Sequence, residues 1–254
     1  MPSVVVLSPH FDDAVLSTWS LLASERDVRV VNVFAGAPAA GTVGRWDATT
    51  GVTDSAEHVR RRAAEDSEAL AALGREAVNL AFLDAQYREP EVLDALGGAP
   101  PGPEPAAYVS ELRAAIEPEL AGGAEIWAPA AIGGHPDHQL TAAVALELAD
   151  EGVQIVFYAD IPYAIAFGWP GRVTGAEERG SFAERSWDYP LCKLGAPLEL
   201  EVRTLAEEDA RRKLRSMQTY ETQIALLEAV SGGRLTDLGH LRYEVAWGVR
   251  EGSA

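Results

Sequence analysis

Two short runs in this chain carry residues able to hold a metal ion. One is Ser8-Pro9-His10-Phe11-Asp12-Asp13 and the other is Gly133-Gly134-His135-Pro136-Asp137-His138. Three of the five histidines fall inside them. His10 and Asp13 are three residues apart at a strand-to-helix junction, so one helical turn brings them to the same side. Imidazole and carboxylate are both suitable ligands for Zn²⁺. Asp12 adds a carboxylate that need not bind the metal. His135 and His138 repeat the three-residue spacing, and one of them can complete a His₂-carboxylate set while the other stays free for a substrate. A hydrolytic metal needs three protein ligands and an open position for water. The two runs supply that number, with an aspartate to spare as a base and one histidine left over for a developing oxyanion.

The elements that must position these residues are legible in the hydropathy pattern. Val4 to Leu7 is wholly apolar and β-branched, as a buried parallel strand requires. Asp12 to Leu22 places Val15, Leu16, Trp19 and Leu22 on one helical face. Strands are predicted at 28–34, 78–83, 125–128 and 154–158, with helices at 55–73, 106–116 and 136–149. Gly74 stands where a helix stop belongs. This alternation predicts a doubly wound, mostly parallel α/β sheet with helices on both faces, Rossmann-like. Ligands in such sheets gather at the carboxyl ends of the strands, which is where both runs fall.

Beyond residue 158 the pattern predicts a small C-terminal extension. It consists of a strand at 198–202, a long helix from a Thr204-Leu205-Ala206-Glu207 capping box to about Val230, and a last strand at 242–249. The whole of 1–254 reads as one domain with its core in about 1–158. The stretches 36–53, 89–105 and 160–186 read as loops around the site that set specificity.

Composition narrows the function classes. The formal charge is −18, which argues against a nucleic-acid partner and against docking on anionic lipid. No apolar stretch reaches the roughly 20 residues that span a bilayer. The start shows no secretory pattern, and Cys192 is alone, so no disulfide or thiolate cage is expected. A soluble cytoplasmic protein is the expectation. No residue pattern sets an oligomeric state. A nucleotide-binding role is disfavoured, because no glycine-rich fingerprint follows the first strand and His10-Phe11-Asp12-Asp13 would offer carboxylates to a pyrophosphate.

The paired runs resemble the signature of the LmbE/PIG-L family of zinc-dependent de-N-acetylases. Arg62, Glu65 and the Leu73-Gly74 helix end, Asp84 after the third strand, and Lys213, Tyr220 and Gln223 in the late helical region extend the resemblance over roughly the whole chain. The resemblance implies a doubly wound fold and removal of the N-acetyl group from an N-acetylglucosamine-type conjugate. It implies His10, Asp13 and His138 as zinc ligands, with Fe²⁺ able to use the same set. It further implies Asp12 as general base, His135 at the oxyanion, Asp137 as the carboxylate orienting a histidine, and Arg62 and Asp84 on the substrate. Three positions depart from the family pattern: Phe11 replaces a proline, Ala14 a glutamate and Tyr220 a histidine. Cleavage of a different amide on a sugar conjugate, or metal binding without catalysis, are the competing expectations.

Two smaller expectations concern the remaining residues. His58 reads as a solvated helix residue and His240 as structural. Tyr158, Tyr163, Phe167 and Trp169 are candidates for a sugar-stacking wall, or for packing of a loop.

Overall fold

The computed structural model describes residues 4–88, 106–120, 123–176, 181–195 and 197–249. The predicted loop at 89–105 lies outside them. In chain order the elements are β1 Val4–Ser8, α1 Asp13–Leu22, β2 Val28–Asn32, α2 Arg45–Thr49, α3 Ser55–Ala71, β3 Ala77–Asn79 and α4 Ala85–Arg88. Then come α5 Ala106–Ile116, β4 Glu125–Pro129, α6 Pro136–Asp150, β5 Ile155–Tyr158, α7 Tyr163–Phe167, α8 Gly171–Thr174 and α9 Phe182–Lys193. The chain ends with β6 Leu198–Thr204, α10 Glu207–Met217, α11 Ile224–Val230, α12 Leu238–Leu241 and β7 Tyr243–Val249.

The seven strands form one sheet in the order β3-β2-β1-β4-β5-β7-β6. The first five pair in parallel, and β7 runs antiparallel to both β5 and β6. Helices flank the sheet, so the Rossmann-like expectation holds. Every residue of β1 is buried, which is why its sequence lacks the apolar-polar alternation of a half-exposed strand. Chain direction across the sheet reverses at β1, with β2 on one side and β4 on the other. That reversal opens the crevice in which both ligand-bearing runs emerge.

Local chemistry explains the helix limits that matter for the site. The Asp54 side chain accepts from the backbone N–H of Ala56 and Glu57 and so starts α3. Gly74 follows its end at φ 68°, the left-handed turn that glycine makes without steric cost. Pro136 stands at the first position of α6, where its missing N–H loses nothing.

Several local expectations are corrected. The stretch 36–53 contains the short helix α2, and 160–186 contains α7, α8 and the start of α9. The capping box does not form: Thr204 is the last residue of β6, and Ala206 caps α10 with no side-chain bond. The long late helix is broken between Met217 and Ile224. In the break Tyr220 turns inward, 1% exposed, and its hydroxyl donates to Asp66 Oδ1 at 2.8 Å. Thr222 donates to Glu65 from both its backbone N–H and its hydroxyl. These bonds to α3 override the local helical preference.

A buried ion pair ties the C-terminal elements to α1. Lys213 Nζ lies 2.8 Å from Glu244 Oε1, and Glu244 also accepts from the Ser20 N–H. Glu244→Ala leaves a buried ammonium unpaired and is expected to cost about 3–5 kcal/mol in chemical denaturation. A Lys213→Met, Glu244→Gln double variant recovers most of that loss. Equal stability of Glu244→Ala and wild type overturns the expectation.

Candidate metal centre

The end of β1 is held by its own hydroxyl chemistry. Ser8 Oγ donates to the His10 carbonyl at 2.5 Å and accepts from the Ala14 N–H at 3.0 Å. The His10 N–H donates to Asp13 Oδ2 at 2.8 Å. Across the crevice, the loop between β4 and α6 passes closely under Tyr163. A Cβ at Gly133 would lie 2.4 Å from the Tyr163 ring, and Gly133 adopts φ 96°, so only glycine fits there. His135 then caps α6 and His138 follows one turn later.

These elements bring His10, Asp12, Asp13, Asp84, His135 and His138 into the lining of one cavity, together with Arg62. Asp13 Oδ2 is 3.2 Å from His10 Nδ1 and 3.3 Å from His138 Nε2. Zn–N and Zn–O bonds of ~2.0–2.2 Å at tetrahedral angles place ligand atoms about 3.3–3.6 Å apart, so each imidazole stands from the Asp13 oxygen at about the spacing two ligands of such an ion would have. The other ring nitrogens are each held by a carboxylate. His10 Nε2 meets Asp137 Oδ2 at 3.0 Å, and His138 Nδ1 meets Asp160 Oδ1 at 2.5 Å. A carboxylate behind a ligating imidazole fixes its tautomer and raises its basicity.

Two other groupings also converge. Donor atoms of His10, His135 and His138 lie within 4.8 Å of one another, as do those of His10, Asp84, His135 and Asp137. The second grouping is the poorer cage. Asp137 is fully buried and already engaged by His10, by the Ala85 N–H at 3.0 Å and by Arg88 at 2.7 Å. His135 Nδ1 accepts from the Asp137 N–H at 3.3 Å. In the neutral ring that bond leaves the proton on Nε2.

Charge follows burial and pairing. Burial pushes the Asp13 carboxyl up, but His138 and His10 beside it hold it well below the usual carboxylate range. Burial lowers His138, yet Asp13 and Asp160 outweigh it and lift the imidazole to about 9. Burial, with the charge of His10, drives His135 down to about 3 and keeps it neutral. Burial also raises Asp12, opposed by Arg62, whose Nη2 is 3.8 Å from Asp12 Oδ1. Arg62 is 7% exposed, its Nε has no hydrogen-bond partner, and its guanidinium lies 5.7 Å from the centre of the Phe11 ring. Phe11, where the resemblance leads to the expectation of a proline, thus packs its ring under this arginine.

Residues 5–149 match the family model described as PIG-L: GlcNAc-PI de-N-acetylase. The chain belongs to the PIG-L deacetylase family. A curated relative, the 2'-N-acetylparomamine deacetylase of Niallia circulans, is 29% identical over 181 residues, covering 62% of this chain and 66% of that protein. Two solved structures resemble the entire chain. The A40926 pseudoaglycone deacetylase Dbv21 is 28% identical, with a TM-score of 0.70 over 99% of this chain and 98% of that one. The zinc-inhibited form of teicoplanin deacetylase Orf2 is 25% identical, with a TM-score of 0.69 over 99% of each chain.

Within this PIG-L fold, several site residues have no signal in the paired runs. Asp160 follows β5, and only its place at a strand's carboxyl end marks it. Gln86 and Arg88 come from α4, Trp46 from α2, and Gln223 from the turn before α11. His58 is not solvated as expected. Its side chain is 9% exposed and meets Gln223 Nε2 at 3.2 Å and Asp47 at 3.9 Å. Of the four aromatic candidates for the wall, from the end of β5 onward, Tyr163 alone lines the cavity. The Tyr158 hydroxyl donates to the Leu7 carbonyl, Phe167 packs on Phe182, and Trp169 packs on Trp187. Trp169 also donates to the His240 carbonyl.

Asp160→Asn keeps the shape behind His138 and removes the charge. Metal affinity is expected to fall about 10–100-fold, measured by competition with a chromophoric chelator. Unchanged affinity would detach Asp160 from the site.

Proposed function

We propose that this chain is a metal-dependent hydrolase that removes the acetyl group from an N-acetylglucosamine-type amino-sugar conjugate, releasing acetate and a free amine. The observation that carries the reading is the convergence of His10 Nδ1 and His138 Nε2 on Asp13 Oδ2, with Asp137 and Asp160 behind the two rings. His10, Asp13 and His138 would hold the metal, zinc by donor type and Fe²⁺ by the same ligands. When bound, such an ion supplies Lewis acidity and a water of lowered pKa. No helix among the described residues is long and apolar enough to cross a membrane. We further propose that 1–254 acts as one unit, because β6 and β7 complete the sheet and Gln223 lines the same cavity as His10.

The roles follow from position. Asp12 takes a proton from the attacking water and returns it to the departing amide nitrogen. His135, neutral, donates from Nε2 to the carbonyl oxygen as it gains charge, a contribution of about 3–4 kcal/mol for one such donor. Hydrogen bonding, not charge, is therefore its part. Arg62 and Asp84, both in the cavity lining, face the substrate's hydroxyls. The cavity volume is about 70 Å³, which suits a small acyl group over a long one.

The test is acetate and amine release from a panel of N-acetylglucosamine conjugates, using metal-quantified protein, chelator, and restored Zn²⁺ or Fe²⁺. The zinc-inhibited form of the Orf2 relative makes excess zinc a separate arm. Chelator-sensitive release supports the reading. Fully metal-loaded protein that releases acetate from no conjugate overturns it.

A further inference from the structure

The chain has six tryptophans. Trp19, Trp169, Trp187 and Trp247 are buried in the core, and Trp127 packs against it. Trp46 belongs to neither group. It lines the site cavity, half-buried, together with Leu227. The helix that carries it is pinned from behind by the next residue. Asp47 is 2% exposed and accepts from the Tyr87 hydroxyl at 2.7 Å and from Gln86 Nε2 at 3.3 Å. The Asp47 N–H donates to Gln86 Oε1 at 3.2 Å. The indole is thus held in the cavity wall by a polar anchor instead of by core packing. Leu227 reaches the same wall from α11, four residues after Gln223 and on the same helical face.

The lining divides by chemistry. Arg62 and Asp84 offer the donors and acceptors that sugar hydroxyls need. Trp46 and Leu227 offer an apolar surface and a single indole N–H. The cavity of about 70 Å³ is far smaller than the ~300–1,000 Å³ of pockets that enclose whole ligands. Most of a sugar conjugate therefore lies beyond the enclosed part, against the half-buried wall. A flat indole face binds a flat apolar ring through dispersion and quadrupole alignment.

We propose that Trp46, backed by Leu227, is a subsite for an aryl group on the aglycone of the amino sugar, which makes an aryl-bearing conjugate the preferred substrate class. The proposal rests on the deacetylase reading for its substrate but on Trp46 for its selectivity.

The experiment compares the phenyl and methyl β-glycosides of N-acetylglucosamine. Metal-loaded wild type is expected to favour the phenyl glycoside about five- to tenfold in kcat/KM. Trp46→Ala brings the ratio near one, and Trp46→Phe keeps most of it. Val43→Ala, in the same stretch at a residue 44% exposed, leaves the ratio at the wild-type value. A wild-type ratio of one overturns the proposal, as does a Trp46→Ala variant that loses the same factor on both glycosides. If neither glycoside releases acetate, the deacetylase reading fails on these substrates, and calorimetry of the phenyl and methyl β-glucosaminides decides the subsite. Tighter phenyl binding that Trp46→Ala abolishes supports it, and equal or undetectable binding overturns it.

Discussion

Asp12→Asn is expected to keep its metal and lose about 10²–10⁴-fold in kcat, with KM little changed. The argument begins with position. Asp12 lines the cavity beside Asp13 but takes no part in the His10–Asp13–His138 convergence. Its carboxyl is raised by burial and steadied by Arg62, so it is a better proton acceptor than an ordinary aspartate. A group that moves a proton only in the transition state supports kcat and not ground-state binding. Asparagine preserves shape and removes basicity. Metal content by mass spectrometry and acetate release under single-turnover conditions check the result. Full metal with near wild-type turnover would move the base elsewhere, first to Asp84, whose Oδ2 lies 3.7 Å from His10 Nε2 in the same cavity.

His138→Ala is expected to abolish both metal retention and turnover. The imidazole is 1% exposed and sits between Asp13 and Asp160. Its removal takes away a proposed ligand and leaves two facing carboxylates without the group between them. The pH dependence of metal binding tests the same arrangement in the wild type. Without metal, His138 is lifted to about 9, and His10 is also raised because Asp13 and Asp137 outweigh its burial. Binding must displace those protons, so affinity weakens as pH falls. Chelator competition between about pH 6 and 8 should show a slope of one to two decades per pH unit. Flat affinity over that window would place His138 outside the ligand set. The same shift acts on the metal-free fold: its stabilising contribution is complete below the ordinary value of 6.5 and is lost as pH rises through about 9.

Much of this was readable in the residues alone. An apolar, β-branched run followed by His10-Phe11-Asp12-Asp13 sets a cluster of imidazole and carboxylate groups at a strand end, because burial demands the one and polar chemistry in a cavity the other. The β–α alternation through residue 158 sets the α/β class, and Gly74 marks a helix end. These are local signals, carried by periodicity and backbone preference.

Other features were settled only when strands took their places in the sheet. Which nitrogen of each histidine faces Asp13 depends on Asp137 and Asp160, which lie 127 and 22 residues from their partners. The inward turn of Tyr220 depends on Asp66, 154 residues away, and it ends a helix that local preference alone would continue. Trp46 and Leu227 share a wall because α2 and α11 both reach the same cavity, not because of any pattern around either residue. Periodicity records whether a side chain is buried. It does not record what that side chain meets, since the meeting is decided by strand order and by which carboxylate or hydroxyl the packing leaves within reach.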